Sequence, residues 1–214
     1  MAGPRPNKIN TSTLKSRILN IAQTSVYQVK LQPPSSVTSF LYREADISYS
    51  RDGEDIELLC SETNLPGQSL ATHDQVLDYP GVTEKMAYRK IYDDRIDFTF
   101  MVGKEYNVIQ FFEGWINYIT GQGTTFTNEE YVSRSRYYRM NYPRNYKTDN
   151  LYISKFEKDV SGHYLTYQFI GAFPISIAAT PLSYETSNAL RYTASFNFMR
   201  YIKTRKEVPL LEVQ

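Results

Sequence analysis

The sequence has few of the residues that build disulfides, metal sites or catalytic centres. It contains one cysteine, Cys60, and two histidines among 214 residues. A single cysteine cannot form an intrachain disulfide, so the chain does not have the composition of a disulfide-built secreted domain. We expect Cys60 to be buried or half-buried on a strand, His73 to lie in a polar loop and His163 in a strand. These residues predict no metal site, and we expect no cofactor.

Long apolar runs and strong net charge are also missing. No stretch of about 18 apolar residues occurs, which predicts no transmembrane helix. The start "MAGPRPNKIN" lacks the apolar core of a signal peptide. The net charge of +1 excludes a global electrostatic preference for nucleic acid or anionic membrane. The "GQG" at 121–123 is predicted to be a turn and not a phosphate-binding loop, so we expect no enzymatic activity.

Tyrosine is abundant, with 19 residues. Tyrosine favours strands and also interfaces, where its ring packs and its hydroxyl forms hydrogen bonds. The length favours one large β-rich domain over two small ones. We predict an arm with a short helix at 1–25, a single β domain at 26–202 with a long insertion at 121–149, and a tail at 203–214.

Period-two alternation predicts strands along much of the chain. The predicted strands are an opening strand near Tyr27 that stops at Pro33 and Pro34, residues 84–92, 95–102, 150–158, 163–173 and 174–178, and one long strand from Leu190 to Lys203. In this last strand Tyr192, Phe196, Phe198 and Ile202 share the apolar side. Asp93-Asp94 is predicted to be a tight hairpin turn, whose adjacent acids are solvated, and residues 160–162 form a second hairpin turn.

The segment 43–57 is acidic and predicted to be rich in turns. Asp52-Gly53 is a dipeptide typical of hairpins. The "IELLC" at 56–60 is predicted to be a strand, and "SETNLPGQSLATHDQ" at 61–75 a loop with a turn at Pro66-Gly67.

One segment, 104–120, changes period and predicts an amphipathic helix. Val108, Phe111, Phe112, Trp115 and Ile119 follow helical spacing. Gly114 is tolerable there if a sheet approaches closely. The predicted fold class is β-dominated α+β, an antiparallel sandwich or barrel flanked by this one helix. The predicted core side chains are Phe98, Phe100, Phe111, Phe112, Trp115, Phe196 and Phe198.

Two charged segments have several interpretations. The segment 134–147 interleaves basic residues with tyrosines, which is compatible with single-stranded nucleic-acid binding, a solvated loop or a protein interface. The acidic segment 43–57 is its electrostatic opposite, so the two segments of different copies are able to pair, or each is simply solvated. Candidate contacts between subunits are Glu44, Asp46, Asp55, Arg134, Arg136, Tyr138 and Arg139.

Two long stretches resemble a known family. The first is "LLCSETNLPGQSLATHDQVLDYPGVTEKMAYRKIYDDRIDFTFMVGKEYNVIQFFEGWINYI", and the second is "FIGAFPISIAATPLSYETSNALRYTASFNFMRYI". In this order they resemble the central part and the C-terminal signature of T4-like phage tail tube proteins. The resemblance covers about residues 56–120 and 150–202.

The resemblance implies a structural protein that forms hexameric rings, stacked into the inner tube of a contractile phage tail. It implies that sheets join across subunits around a lumen for DNA, with sheath and baseplate proteins as partners, no membrane contact, and a place in a virion assembled in the host cytoplasm. Lumen-facing candidates are then Thr166, Gln168, Arg191, Thr193, Ser195 and Asn197. The extension before the first strand and the long excursion at 121–149 leave open a tube-initiating baseplate subunit. The alternative from another class is the nucleic-acid-binding module.

Overall fold

The computed structural model describes residues 21–77, 81–121, 140–157, 163–185 and 188–207. Its strands are β1 (Tyr27–Leu31), β2 (Cys60–Thr63), β3 (Gln68–Leu77), β4 (Val82–Tyr92), β5 (Arg95–Met101), β6 (Leu151–Lys155), β7 (His163–Ile170), β8 (Phe173–Ile177), β9 (Arg191–Asn197) and β10 (Arg200–Glu207). Its helices are α1 (Ser35–Ala45), α2 (Tyr49–Leu58), α3 (Asn107–Thr120) and the short α4 (Pro143–Tyr146).

The strands form two four-stranded sheets and a separate two-stranded hairpin. Sheet A has the order β1-β6-β7-β10 and sheet B has the order β2-β5-β9-β8, and within the described residues β3 pairs with β4 alone. Every paired strand within these sheets runs antiparallel to its neighbour. The β-dominated antiparallel fold is therefore confirmed. The described chain forms two open sheets and not a closed barrel.

A bent two-stranded ribbon connects sheets A and B. On one side of the bend Phe169 pairs with Tyr201, and on the other side Phe173 pairs with Asn197. The pairing offset is the same on both sides, so β7–β8 and β10–β9 are one continuous ribbon that changes sheet. Strands that switch sheets at a bend form the corners of orthogonally packed sandwiches.

The single long strand predicted from Leu190 to Lys203 is wrong because of this bend. Phe198 is buried and Met199 is exposed. In β9 the even-numbered apolar side chains face the core, whereas in β10 the odd-numbered side chains do. Ile202, predicted on the apolar side, is 45% exposed, while Tyr201 turns inward against Phe169 and Phe198. One residue of phase shift moves a whole strand to the other face.

Local hydrogen bonds hold the corner in place. Thr148 and Ala172 form an isolated antiparallel bridge with both backbone hydrogen bonds, at 2.8 and 2.7 Å. Gly171 has a φ of 68°, a left-handed conformation that suits glycine. The Asp149 carboxylate accepts a hydrogen bond from the backbone N–H of Gly171 at 2.7 Å. The sharp bend is therefore supported from the segment that precedes β6.

The core forms around helix α3. Its Phe111, Phe112 and Trp115 are buried. Phe112 contacts Phe100 and Phe196 of sheet B by tilted and edge-on packing, and Trp115 packs edge-on against Phe196. The Trp115 indole N–H donates to the carbonyl of Tyr146 at 3.1 Å. The helix predicted at 104–120 is thus present over 107–120, and the seven predicted core side chains are all buried.

Helix α1, which the sequence pattern did not predict, lies against α3. A Cβ built at Gly114 would come within 2.5 Å of Leu41 Cδ2 of α1. Gly114 therefore permits a close helix–helix contact, and the predicted approach of a sheet at this position is wrong. The fold has three helices of ten or more residues among the described residues, not one flanking helix.

The segment 43–57 is helical, which corrects the predicted turn at Asp52-Gly53 and the predicted strand at 56–60. Helix α2 buries Ile56 and turns Asp52 inward, where its carboxylate accepts hydrogen bonds from Arg51 and from the N–H of Ser48. Tertiary burial and this capping interaction override the turn propensity of Asp-Gly.

The predicted loop at 61–75 and the hairpin turn at Asp93-Asp94 are also wrong. Residues 60–63 and 68–77 are strands, so only 64–67 remain a loop, and His73 lies on strand β3. Asp93-Asp94 connects β4 of the hairpin to β5 of sheet B. Strand β10 extends to Glu207, into the segment predicted as a tail. The short helix predicted near residues 14–22 falls mostly outside the described residues.

Candidate assembly surfaces

The β3–β4 hairpin has little cover from the rest of the chain. Most of its described side chains are exposed, including Leu70 at 63%, Tyr88 at 70% and Met86 at 46%. A two-stranded hairpin is marginally stable in water unless another surface packs against it. Exposed large apolar side chains on such a ribbon indicate a missing partner.

Both faces of the hairpin carry exposed apolar side chains. Strand β3 alternates without interruption, so Leu70, paired with Lys90, and His73, paired with Met86, lie on opposite faces. Tyr88 is the extra residue of β4 at the register shift between Ala71 and Thr72. We call the exposed side chains of Leu70, Met86, Tyr88 and Ile91 together the apolar hairpin surface.

The base of the hairpin is fixed to the sandwich. The Asp93 carboxylate accepts a hydrogen bond from the N–H of Gly67 at 2.7 Å. Tyr92 packs edge-on against Tyr201 of β10, and the Tyr201 hydroxyl donates to Gln68 at 3.1 Å. The Lys90 ammonium lies 4.6 Å from the Tyr92 ring centroid. The loop before β3 and the β4–β5 connection therefore meet here and set the direction of the ribbon.

The outward face of sheet A is polar and carries no carboxylate on its described side chains. The paired positions Tyr152–Gln168 and Ser154–Thr166 lie on this face. Gln168 Nε2 donates to the Tyr152 hydroxyl at 3.1 Å, and Ser154 and Thr166 share a hydrogen bond at 3.2 Å. The other side chains on this face come from β1, β7 and β10: Gln28, Lys30, Tyr164, Ile170, Arg200, Ile202, Thr204 and Lys206.

The outward face of sheet B is also polar but electrically balanced. Arg95 donates to Asp97 at 2.8 Å, and Thr99 and Thr193 share a hydrogen bond at 3.0 Å. Arg95 and the Ser195 hydroxyl, in that order, lower the pKa of Asp97 below its ordinary value. Ser195 is only 1% exposed, so the prediction that it faces a lumen is wrong.

The six lumen-facing candidates do not share one surface. Thr166 and Gln168 belong to sheet A, whereas Arg191, Thr193, Ser195 and Asn197 belong to sheet B. Both sheets direct their apolar faces into one core, so their polar faces point away from each other. The alternation of the predicted long strand could not reveal this division. Period-two alternation shows which face of a strand is polar, but not to which sheet the strand belongs.

The predicted acidic contact residues lie on or beside helices. Asp55 and Asp46 are exposed, and Asp46 ends α1 with a φ of 53°. Glu44 pairs with Arg43 at 3.2 Å and is largely covered. The acidic segment is therefore not an open acidic loop. Its proposed partners Arg134, Arg136, Tyr138 and Arg139 lie outside the described residues.

A groove of about 540 Å³ runs along the open edge of β1, between that strand, α2 and the start of β2. Glu57 of α2 accepts hydrogen bonds from the N–H of Leu31 at 2.8 Å and from the Tyr49 hydroxyl at 3.0 Å. Burial raises the pKa of the Tyr27 hydroxyl to about 12, with Cys60 and Glu62 adding to the rise. Glu54 and Glu57 line the groove together with Lys30.

Cys60 is half-buried at the edge of this groove, in agreement with the sequence prediction. Burial raises the pKa of its thiol to about 12, so the thiolate that reacts with electrophiles is disfavoured.

Among the described residues, no group of three or more His, Cys, Asp or Glu side chains is placed to hold a metal ion. The described helices include none that is long and apolar enough to cross a membrane.

A sandwich with a projecting apolar ribbon and open sheet edges exposes surfaces that suit association with other chains. The family of phage tail tube proteins matches residues 22–204, so the chain belongs to the phage tail tube protein family. Members of this family are structural tube proteins. No curated protein sequence matches the chain.

Two solved structures have a similar fold. One is a chain of an extracellular contractile injection system, the PVC sheath–tube complex in the extended state. Its TM-score is 0.52 at 15% identity, with 91% of this chain and 99% of that chain covered. The other is the anti-feeding prophage tube terminating cap, with a TM-score of 0.54 at 14% identity, covering 87% of this chain and 92% of that chain. At these identities the likeness extends to the fold alone.

Proposed function

We propose that the chain is the main subunit of the inner tube of a contractile phage tail, and that it works by self-assembly into stacked hexameric rings. Family membership supports a tube role, and the similar fold in a sheath–tube complex supports a contractile system. The apolar hairpin surface is the single observation that carries self-assembly. Its side chains Leu70 and Tyr88 remain mostly exposed in the isolated chain.

The hairpin provides contacts between subunits. Its base is anchored by Asp93 and Tyr201, so its ten-residue and eleven-residue strands project in a fixed direction. Burying Leu70, Met86 and Tyr88 against neighbouring copies on the two faces of the ribbon contributes about 1.5–3 kcal/mol for each fully buried side chain. Heterologous contacts of this kind between identical subunits close into rings when the rotation permits.

The tube surrounds a lumen through which DNA passes without specific binding, and its outer surface contacts sheath and baseplate proteins. Small polar side chains such as Thr166 and Gln168 suit a lumen wall, because dense Lys and Arg would retain phosphates. The protein assembles in the host cytoplasm and is then part of the virion. The predicted domain division, with the arm at 1–25 outside the sandwich, gives further segments for contacts with other tail proteins.

Electron microscopy of the purified protein across a concentration series tests this proposal. We expect rings with sixfold symmetry that stack into tubes as the concentration rises. Rings that never stack without an added baseplate complex would instead favour a tube-initiating subunit. A strict monomer at every concentration, with and without a tail nucleating complex, would refute both forms of the proposal.

A further inference from the structure

The groove beside β1 exposes the backbone of an edge strand. β1 lies at the outside of sheet A, and within the described residues it has no strand partner on its groove side. The N–H of Gln32 donates to the carbonyl of Asn150 at 3.0 Å, so the even-numbered backbone groups of this strand point toward β6. The odd-numbered groups, such as those of Val29, therefore point into the groove. An uncovered strand edge invites pairing with other chains.

Carboxylates give this groove its charge. The N–H of Leu31 and the Tyr49 hydroxyl both donate to Oε1 of Glu57 and hold its carboxylate at the groove wall. Glu54, three residues earlier on α2, is exposed and lines the same groove. Burial, followed by the charges of Glu57 and Glu54, raises the pKa of Tyr49 above its ordinary value. The two carboxylates outweigh Lys30 among the described lining residues, so the groove favours a cationic occupant.

The N-terminal segment of the same chain has the complementary charge. Residues 1–20 lie outside the described residues and include four cations. These cations are Arg5, Lys8, Lys15 and Arg17. The first acidic residue of the whole chain is Glu44. A cationic segment without carboxylates of its own has to find oppositely charged partners elsewhere in the molecule or on another chain.

The described chain starts beside the groove. Residues 21–25 are exposed, and Tyr27, two residues further on, lines the groove. The Glu157 carboxylate accepts a hydrogen bond from the N–H of Gln23 at 3.1 Å and so fixes the chain at the beginning of β1. The five residues of β1 span about 17 Å at the usual rise of a strand. A segment of 20 residues attached at this point is long enough to follow the groove over its whole length.

We propose that residues 1–20 lie in the groove of their own chain, with their cations beside Glu54 and Glu57, and cover the open edge of β1 in the unassembled subunit. Attachment to β1 gives this segment a higher effective concentration at the groove than a second copy has in dilute solution. A covered edge does not pair with other strands, so the segment restrains self-association. This restraint rests on the proposed ring assembly, whereas occupation of the groove does not.

Pairs of cysteines test the occupation of the groove. In a Cys60→Ser background, Ser50→Cys places a thiol on the part of α2 that lines the groove. It is combined in turn with Ser12→Cys or Ser16→Cys in the N-terminal segment. Asp55→Cys is the matched control for the α2 position, because Asp55 is exposed on the same helix but lines a different pocket. The protein is oxidised mildly while dilute and monomeric, and gel mobility with peptide mass spectrometry separates intrachain from interchain disulfides.

For at least one segment position, we expect the intrachain disulfide to form on the order of tenfold or more faster with Ser50→Cys than with Asp55→Cys, because docking raises the local concentration of the thiol. Neutralising the segment should remove most of this preference. The neutralised segment carries Arg5→Gln, Lys8→Gln, Lys15→Gln and Arg17→Gln. Equal rates at the two α2 positions would overturn the proposal. Interchain disulfides that increase with protein concentration would assign the groove to another copy and would overturn it as well.

The concentration needed for assembly tests the restraint. The full chain with the neutralised segment should assemble at a concentration about three- to tenfold lower than wild type, because a larger fraction of subunits has an uncovered β1 edge. Arg144→Gln with Arg191→Gln, which neutralises exposed cations elsewhere, is the control and should give no such decrease. An unchanged concentration for the neutralised segment would overturn the restraint. A wild type that stays monomeric, even with a tail nucleating complex, would refute the proposed function and leave the disulfide result standing.

Discussion

Strands β4 and β5 follow each other along the chain, separated by Asp93-Asp94, yet they have opposite environments. β5 buries Ile96, Phe98 and Phe100 against the core of its own chain. β4 leaves Met86 and Tyr88 exposed to solvent. Both strands alternate and both carry large apolar side chains. The difference shows that period two identifies a strand and its apolar face, but not whether the covering surface belongs to the same chain or to another.

The interactions that stabilise the folded, isolated subunit therefore lie mainly in the sandwich. The aromatic cluster of Phe98, Phe100, Phe112, Trp115 and Phe196 is fully buried and joins sheet B to α3. The hairpin adds backbone hydrogen bonds but little apolar burial. Substitutions in the two regions should separate subunit stability from assembly, and the expected effects on stability decrease in the following order.

Trp115→Ala should lower the free energy of unfolding by about 3–5 kcal/mol, the usual loss when a large buried aromatic is removed. The indole is completely buried and donates to the carbonyl of Tyr146, which would lose its partner. Denaturant unfolding of the unassembled subunit measures the change. Trp115→Phe is the control and should cost clearly less. A loss below about 1 kcal/mol for the alanine variant would show that the core does not depend on this side chain.

Gly114→Ala should cost about 1–3 kcal/mol by overpacking, although alanine is the better helix former. The new methyl group would clash with Leu41 of α1 at 2.5 Å. Leu41→Val in the same chain should relieve part of this cost, which a double-mutant cycle measured by denaturant unfolding would reveal. A stabilised Gly114→Ala variant would mean that α1 and α3 do not pack closely in solution.

Asp97 should give a small dependence of stability on pH. Its pKa is lower in the folded state than in the unfolded state because Arg95 and then Ser195 donate hydrogen bonds to the carboxylate. Its contribution is therefore present above pH about 4 and is lost as the pH falls through the lower folded pKa. Because the Arg95–Asp97 ion pair is exposed, its contribution to the free energy of unfolding should be less than about 1 kcal/mol. Unfolding midpoints of wild type and Asp97→Asn between pH 5 and 2 should differ in slope; parallel curves would exclude the contribution.

Tyr88→Ala should leave the stability of the unassembled subunit within about 0.5 kcal/mol, since surface substitutions rarely exceed this. The same change should impair ring or tube formation, because Tyr88 is 70% exposed on the apolar hairpin surface. Thr83→Ala, which changes a small exposed polar side chain of the same strand, is the matched control. Unfolding curves and electron microscopy of the same preparations separate the two readouts. Normal tubes from Tyr88→Ala would remove this side chain from the interface.

Several elements followed from local pattern because local forces decide them. Helix α3 has an uninterrupted apolar stripe from Val108 to Trp115, and β5 has clean alternation, so both were predicted within a few residues. Helix α2 could not be predicted, because Asp52-Gly53 favours a turn locally. Its helical form depends on the burial of Ile56 and on the distant partner Leu31 of Glu57. The sequence pattern did not predict β3, because the polar run Thr72, His73 and Asp74 interrupts the alternation of apolar and polar residues. Pro80-Gly81, which follows β3 in the sequence, is nevertheless a turn signal.

The sequence by itself determined the β-rich class, the family resemblance and most of the buried aromatic residues, since these depend on composition, period and order along the chain. Only the tertiary structure decided where the chain changes sheet. The bend at Gly171 and Met199 shifts the phase of β10, exposes Ile202 and divides the lumen candidates between two sheets. It also decided which sheet edges and which hairpin side chains stay exposed. Those features depend on contacts between residues far apart in sequence, which no local pattern contains.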